Sequence, residues 1–293
     1  RRGPGKKQGR IRGSRQIMGK WKRGLALLLI VGGAGLFVYP RLQMVLADRS
    51  QTIAIGNYEE GVSGYDEKWK EGELEKARAY NNSLSEVAFP DPFGHGGSLE
   101  TAGDYEEILN VDRGMMGVLE IPCIEVELPI YHGIAEDVLQ KGVGHISQTA
   151  FPVGGEGNHT VLSTHRGLPD ARLFTDLDEL EPGDAFYIRV LGNNLAYEVD
   201  QVEVVDPGDV SLLKPEEGKD YVTLLTCTPY GINSHRLLVR GSRVNYVPEV
   251  KAQIQKKVVR TEKYTVFGIG AAAILTVAAG VAGRIRKRKR KQV

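Results

Sequence analysis

The chain has 293 residues, and its 38 Lys and Arg residues nearly balance its 37 Asp and Glu residues. Residues 1–23 hold ten of the basic residues and residues 284–293 hold seven, whereas every acidic residue lies between these two ends. The intervening part therefore carries 21 basic and 37 acidic residues, a formal charge of −16 that the whole-chain value of +1 conceals. Each basic end adjoins an apolar run, which favours membrane topology over binding to nucleic acid.

The first apolar run occupies residues 24–47 and is interrupted by Pro40 and Arg41. Its uninterrupted part is shorter than the ~20 residues of a typical membrane-spanning helix. The small-residue pattern that ends at Ala47 resembles a cleavage site, so a removed signal peptide is the alternative. We favour an N-terminal membrane anchor that is retained in the protein.

The second apolar run, residues 264–283, contains no charged residue and precedes the basic tail. It is long enough to cross a bilayer as a helix. Because positive clusters lie outside both runs, the positive-inside rule places both termini in the cytoplasm and residues 49–263 outside. The sequence therefore predicts a two-pass protein of the cell membrane, with a transmembrane helix at each end and two basic cytoplasmic ends.

Residues 48–115 are predicted to form a helix followed by a loop on the outer side. The amphipathic pattern of residues 65–80 predicts a helix whose apolar contacts include Trp69, Leu74 and Ala77. The prolines and glycines of residues 81–98 exclude regular structure there. That segment is either a plain linker or a functional loop.

Residues 116–247 alternate between apolar and polar side chains in short segments, which predicts a mainly β domain. A short helix is expected at residues 135–141. Six or seven strands with minor helices favour a closed barrel over a sandwich. Residues 248–263 form a juxtamembrane linker. The predicted strands are 118–121, 125–131, 160–163, 185–190, 195–205, 221–225 and 236–244.

A cysteine and an arginine stand on either side of the last predicted turn. Cys227 follows one strand and Arg236 begins the next, so the two residues are expected to face each other. A neighbouring guanidinium favours the thiolate form of cysteine, which is the nucleophilic form. The alternatives are a small buried cysteine or a disulfide with Cys123, the other cysteine of the chain.

His165 is the histidine that we expect in a site, because it ends an apolar strand where the ring projects at a barrel rim. His235 adjoins Arg236, but consecutive strand residues point to opposite faces. The other histidines that could replace His165 are His132, His145 and His159. Because the sequence has no His-x-x-x-His pair, paired cysteines or Gly-rich phosphate loop, we predict no metal and no cofactor.

Three stretches together carry a resemblance to a known family. Thr223-Leu224-Leu225-Thr226-Cys227 resembles the TLxTC signature of sortases, which are membrane-bound cysteine transpeptidases of Gram-positive bacteria. Residues 118–133 and 158–180 extend the resemblance to class C, or pilin-type, sortases. The resemblance implies an eight-stranded sortase barrel with Cys227, His165 and Arg236 as catalytic residues. It also implies substrate binding by Leu225 and Thr226.

Asp91, Pro92 and Phe93 resemble the Asp-Pro-aromatic lid of class C sortases. In that family the lid covers the active site, with the acid near the catalytic arginine and the aromatic ring near the cysteine. The resemblance therefore implies that residues 48–115 form a helical and lid extension of the barrel.

The function that the resemblance implies is acyl transfer between surface proteins. Cys227 would cleave a sorting motif of the LPxTG kind and pass the acyl group to the acceptor lysine of a pilin subunit, so pili are polymerised. Residues 206–220 would carry specificity. The alternatives are a housekeeping sortase that attaches proteins to peptidoglycan, a simple peptidase, and a non-catalytic surface protein whose barrel only binds.

Overall fold

The structure is a computed structural model that describes residues 9–84, Phe93 and residues 104–253. The predicted helix at 264–283, the basic tail, and Asp91 and Pro92 of the predicted lid lie outside these residues. The chain divides into two units. The smaller unit contains the chain up to Ser50 together with Pro169–Ala171, and the larger unit contains the barrel.

Two helices precede the barrel. Helix α1 is Gly9–Gly64 and helix α2 is Glu67–Ser83, which confirms the helix predicted at residues 65–80. Asp66 caps α2, because its carboxylate accepts a hydrogen bond from the Trp69 N–H at 2.7 Å. The predicted anchor at residues 24–47 falls inside α1. Within the part of the chain that the structure describes, no helix has both the length and the apolar character needed to span a membrane.

Helix α2 is fastened to the barrel at its last turn. The Asn81 side chain donates to the Phe151 carbonyl at 3.2 Å and accepts from the Phe151 N–H at 2.7 Å. Leu74 and Ala77 are buried on the same side of the helix. Because this double hydrogen bond holds the end of α2, it fixes the point at which the loop after the helix begins.

Eight strands form a closed barrel in the order β1-β2-β3-β4-β7-β8-β6-β5, as the family resemblance implied. The alternation of the sequence had indicated seven of them. Two neighbouring pairs, β2 with β3 and β4 with β7, are parallel, and the others are antiparallel. The strands are β1 Met115–Ile121, β2 Val126–His132, β3 Val143–His145, β4 Asn158–Ser163, β5 Ala185–Val190, β6 Asn193–Val205, β7 Asp220–Thr228 and β8 His235–Val244.

Short helices connect some of the strands. Helix α3, Glu136–Leu139, lies between β2 and β3 and is shorter than the helix predicted at residues 135–141. Three 3-10 turns occupy Pro122–Ile124, Leu177–Glu179 and Ser211–Leu213.

The barrel is held together by apolar side chains from every part of its wall. Leu119, Ile130, Phe186, Leu224 and Val239, from five different strands, are all 0% exposed. Full burial of one such side chain stabilises the fold by about 1.5–3 kcal/mol. The strand ends that carry polar residues are therefore mounted on a rigid support.

Candidate active site

The strand register brings three predicted residues to one face of the barrel. Cys227 on β7 lies directly opposite Arg236 on β8. On the other side of β7, Ser163 at the end of β4 is aligned with Leu225. His165 and Cys227 each lie two residues beyond that pair. Because side chains alternate along a strand, Cys227 points to the same side as Leu225. His165 follows β4, and its ring and the Arg236 guanidinium both lie near the Phe93 ring.

The pairing of β4 with β7 continues past the last aligned pair. The Thr164 N–H donates to the Leu225 carbonyl at 3.3 Å, and the Thr226 hydroxyl donates to the Thr164 carbonyl at 2.8 Å. These bonds hold His165 beside the end of β7. We call the surface that carries His165, Cys227 and Arg236 the Cys227 face.

The two cysteines of the chain have different surroundings. Both are thiols in the structure, so the disulfide between Cys123 and Cys227 is not formed. Burial raises the pKa of the Cys123 thiol to about 11, which disfavours its nucleophilic form. Cys227 is 7% exposed and stands opposite a guanidinium. Cys227 is therefore the candidate nucleophile.

The Arg236 guanidinium is held from behind by the main chain. Its Nη1 donates to the Asn233 carbonyl at 3.2 Å and to the His235 carbonyl at 3.0 Å. Asn233 lies in the loop between β7 and β8, and His235 is the first residue of β8. Arg236 is 7% exposed. Because its orientation is fixed before a substrate binds, this cation can stabilise negative charge that develops near Cys227.

The His165 ring lies between a carboxylate and an aromatic ring. Its Nε2 is 3.2 Å and 3.3 Å from the two carboxylate oxygens of Glu136, at the start of α3. The Phe93 ring centroid is 5.8 Å from the His165 ring centroid. Glu136 therefore faces Nε2, and Nδ1 is the ring nitrogen that does not face this carboxylate.

Three other histidines are structural. Burial lowers the pKa of all three imidazoles. The pKa falls to about 3 for His145 and to about 4 for His159. Ring nitrogens of all three face main-chain carbonyls or hydroxyls inside the fold. His235 is exposed and its Nε2 is 3.5 Å from the Asp206 carboxylate. Of the histidines that we considered, His165 alone lies on the Cys227 face.

Phe93 lies against the Cys227 face. Its ring centroid is 5.2 Å from the Arg236 guanidinium carbon and 5.8 Å from the His165 ring centroid. The ring also packs on five buried side chains that we call the apolar floor. The apolar floor consists of Ile146, Val161, Leu213, Leu225 and Leu238.

The two predicted substrate-binding residues have different settings. Leu225 belongs to the apolar floor. Thr226 is 0% exposed and its hydroxyl already donates to the Thr164 carbonyl. By alternation, the Thr226 side chain points away from the Cys227 face. The geometry therefore gives Leu225 a better position for contact with a bound peptide than the Thr226 side chain.

Sequence reasoning missed two residues that brace the site. Glu136 is 29 residues from His165 in the chain, so no local pattern indicated their contact. The Arg166 side chain is 7% exposed beside the end of β7, where it donates to the Thr228 hydroxyl at 3.1 Å and forms an ion pair with Asp178. Its position directly after His165 was the one available signal.

Among the described residues, no group of three or more His, Cys, Asp or Glu side chains could hold a metal ion.

A thiol, an imidazole and a guanidinium on one face of a closed barrel define a cysteine acyl-transfer enzyme, in which the thiol attacks, the imidazole moves protons and the cation stabilises an oxyanion. The Sortase domain family model matches residues 119–244. The chain is 36% identical to Sortase D of Bacillus subtilis over 131 residues, which are 44% of this chain and 63% of that protein. It therefore spans less than two thirds of that relative.

Solved structures cover more of the chain. Sortase C of Streptococcus pneumoniae is 45% identical, with a TM-score of 0.61, and the match covers 66% of this chain and 97% of that one. Sortase C1 of Streptococcus agalactiae is 47% identical, with a TM-score of 0.60, and the match covers 66% and 95%. The chain belongs to the sortase family, whose members are cysteine transpeptidases. The family predicted from the sequence is confirmed.

Proposed function

We propose that this chain is a class C sortase that joins pilin subunits through a Cys227 thioester. The observation that carries the proposal is the register of β7 and β8 that sets Cys227 opposite Arg236, together with the Phe93 ring that lies near both Arg236 and His165. The similar Streptococcus pneumoniae Sortase C has a pilin substrate specificity, and a Group B Streptococcus relative is pilus-related. The substrates are then pilin subunits with an LPxTG-like sorting motif and an acceptor lysine. No cofactor takes part.

In the first half-reaction the Cys227 thiolate attacks the threonine carbonyl carbon of the sorting motif. The carbonyl oxygen becomes an oxyanion that faces the Arg236 guanidinium. The bond between carbon and the leaving nitrogen breaks, and the amine departs with a proton donated by His165. The product is a thioester between Cys227 and the pilin threonine.

In the second half-reaction the acceptor lysine amine attacks the thioester carbonyl. The incoming amine gives a proton to His165, and the bond between carbon and sulfur breaks. The products are an isopeptide bond and the Cys227 thiolate, so the enzyme returns to its starting state. Glu136 holds the His165 ring during both proton transfers.

Phe93 acts as the aromatic part of a lid, with Asp91 and Pro92 beside it in the chain. The contacts of the Phe93 ring with His165, Arg236 and the apolar floor support this role. A ring in that position excludes a peptide from the Cys227 face. Substrate binding therefore requires that the lid move away.

The membrane arrangement is also part of the proposal. Residues 24–47 and 264–283 anchor the protein, residues 1–23 and 284–293 lie in the cytoplasm, and residues 116–247 form the catalytic barrel outside. Residues 48–115 hold the helix and the lid, and residues 248–263 link the barrel to the second anchor. The distribution of positive charge in the sequence supports this topology. External protease should leave both ends intact in whole cells, and cleavage of either end would contradict the topology.

The test of the function is a competition between acceptors. The purified full-length chain is incubated with an LPxTG-type peptide and equal concentrations of a pilin-derived lysine peptide and a peptidoglycan-type amine. Mass spectrometry then identifies the products. Transfer to the lysine peptide supports the pilin-joining activity, transfer to the other amine supports the housekeeping alternative, and release of free acid supports a peptidase.

A further inference from the structure

Ser163 is a buried residue next to the site whose hydroxyl has no hydrogen-bond partner in the described part of the chain. It is the last residue of β4, two residues before His165, and it is 0% exposed. Among the described residues, its hydroxyl is the buried side-chain polar atom that has no hydrogen-bond partner. Buried polar groups in folded proteins nearly always have a partner, so this exception needs an explanation.

The neighbouring hydroxyls on the same strands are all bonded. Thr160 donates to the Ala150 carbonyl at 2.7 Å, and Thr226 donates to the Thr164 carbonyl at 2.8 Å. The fold therefore provides partners for buried hydroxyls in this part of the barrel. Among the described residues, the Ser163 hydroxyl has no such partner. An alanine at this position would fill nearly the same space and would bury no unsatisfied hydroxyl.

The Ser163 hydroxyl lies on the Cys227 face. Alternation along β4 places Ser163 on the same side as Val161, a member of the apolar floor. The Ser163 pair with Leu225 is the row next to the one that contains Cys227. Ser163 is thus a polar group beside the apolar floor, one row from Cys227.

A peptide on this face cannot extend the sheet. Strand β7 is paired with β4 on one side and β8 on the other, and β4 is paired with β3 and β7. The main-chain groups of these strands are used within the barrel, so a bound peptide must find hydrogen-bond partners among side chains and loops. The Ser163 hydroxyl is such a partner.

We propose that the Ser163 hydroxyl binds the substrate peptide, donating a hydrogen bond to a main-chain carbonyl of the sorting motif when the peptide replaces Phe93 on the apolar floor. This inference rests on the proposed function. The aromatic ring covers the floor but leaves the hydroxyl without a partner, whereas a peptide main chain supplies one. The Ser163 hydroxyl therefore favours binding of the peptide to the apolar floor over packing of the Phe93 ring there.

The test compares Ser163→Ala with wild type in the full-length chain. We expect KM for the LPxTG-type peptide to rise by about three- to tenfold, the effect of one neutral hydrogen bond, while kcat changes less than twofold. The Tm should stay the same or rise, because no unsatisfied group remains buried. Thr160→Val is the matched control: it loses a bonded hydroxyl, so its Tm should fall while its KM stays at the wild-type value.

The outcomes separate this inference from the proposed function. Absence of a thioester in both the wild-type protein and Phe93→Ala would overturn the proposed function and this inference with it. A working wild type with an unchanged KM in Ser163→Ala would overturn the inference alone. A lower Tm in Ser163→Ala would also overturn it, since the hydroxyl would then have a structural role.

Discussion

Cys227 and Arg236 occupy directly opposite positions on two neighbouring antiparallel strands. The β carbons of such opposite residues lie about 4.5–5.5 Å apart, so the register sets how close together the two side chains begin. The connecting loop adds to this arrangement, because the Asn233 carbonyl accepts a hydrogen bond from the Arg236 guanidinium. A guanidinium held in this way is suited to stabilise an oxyanion near Cys227.

Arg236→Lys should retain the positive charge but lose most of the activity. The lysine ammonium cannot reproduce the planar guanidinium that is held by two main-chain carbonyls. We expect kcat to fall by roughly 10²-fold, as for loss of an oxyanion donor. The measurement is single-turnover thioester formation. Arg240→Lys is the control, because Arg240 pairs with Asp200 at 3.0 Å further along the strand, and an equal loss in both variants would contradict the assigned role.

Glu136→Gln should lower kcat and leave KM nearly unchanged. The glutamine keeps the size of the side chain but removes the carboxylate that contacts His165 Nε2. We expect a loss of roughly tenfold, a part of the ~10²–10⁴-fold that a positioned acid–base group contributes. Asp137→Asn is the control, since Asp137 lies in the same helix and pairs with Lys141 at 3.5 Å. Wild-type kcat in Glu136→Gln would show that the contact is incidental.

Phe93→Ala should make Cys227 react faster with a small thiol reagent. The ring packs over His165, Arg236 and the apolar floor, and its removal opens the Cys227 face. The alkylation rate of Cys227, followed by mass, is expected to rise several-fold. Ile232→Ala removes an apolar side chain that is 72% exposed in the β7–β8 loop, and it should leave the rate unchanged. An unaltered rate in Phe93→Ala would remove the lid from the mechanism.

Stability should decrease as the pH is lowered from about 6.5 to 4. His159 has its pKa lowered by burial from 6.5 to about 4, so in this window the unfolded chain binds a proton that the folded chain does not. The loss is roughly 3 kcal/mol at about 1.4 kcal/mol per pH unit. Urea unfolding across this pH range measures it.

His159→Gln should show a shallower pH dependence of stability than wild type. Equal slopes for wild type and His159→Gln would mean that His159 does not contribute. Burial of His145, which lowers its pKa to about 3, adds a part of the slope that the variant retains.

The sequence predicted the parts of the fold that depend on local alternation. Alternation predicted the long strands β6 and β8. It also predicted that Cys227 and Arg236 lie at strand ends. Strand β3 could not, because three residues are too few for a period to be recognised. The eight-strand closure came from the family resemblance, since pairing between distant strands leaves no local signal.

The site could be predicted only in part for the same reason. His165 was identified from its place after an apolar strand, but its contact with Glu136 depends on how α3 packs against the end of β4. The unpartnered hydroxyl of Ser163 is a property of its surroundings and not of its residue type. Features of this kind appear only once the tertiary contacts are known.

The most direct test of the thioester mechanism is the mass of the intact protein after reaction with an LPxTG-type peptide in the absence of an amine. Wild type and Cys123→Ala should each gain one acyl group through a thioester on Cys227, and added lysine peptide should remove it as an amide. Cys227→Ala should gain nothing. An acyl group on Cys227→Ala, or no adduct on the folded wild-type protein with Phe93→Ala equally unreactive, would contradict the mechanism.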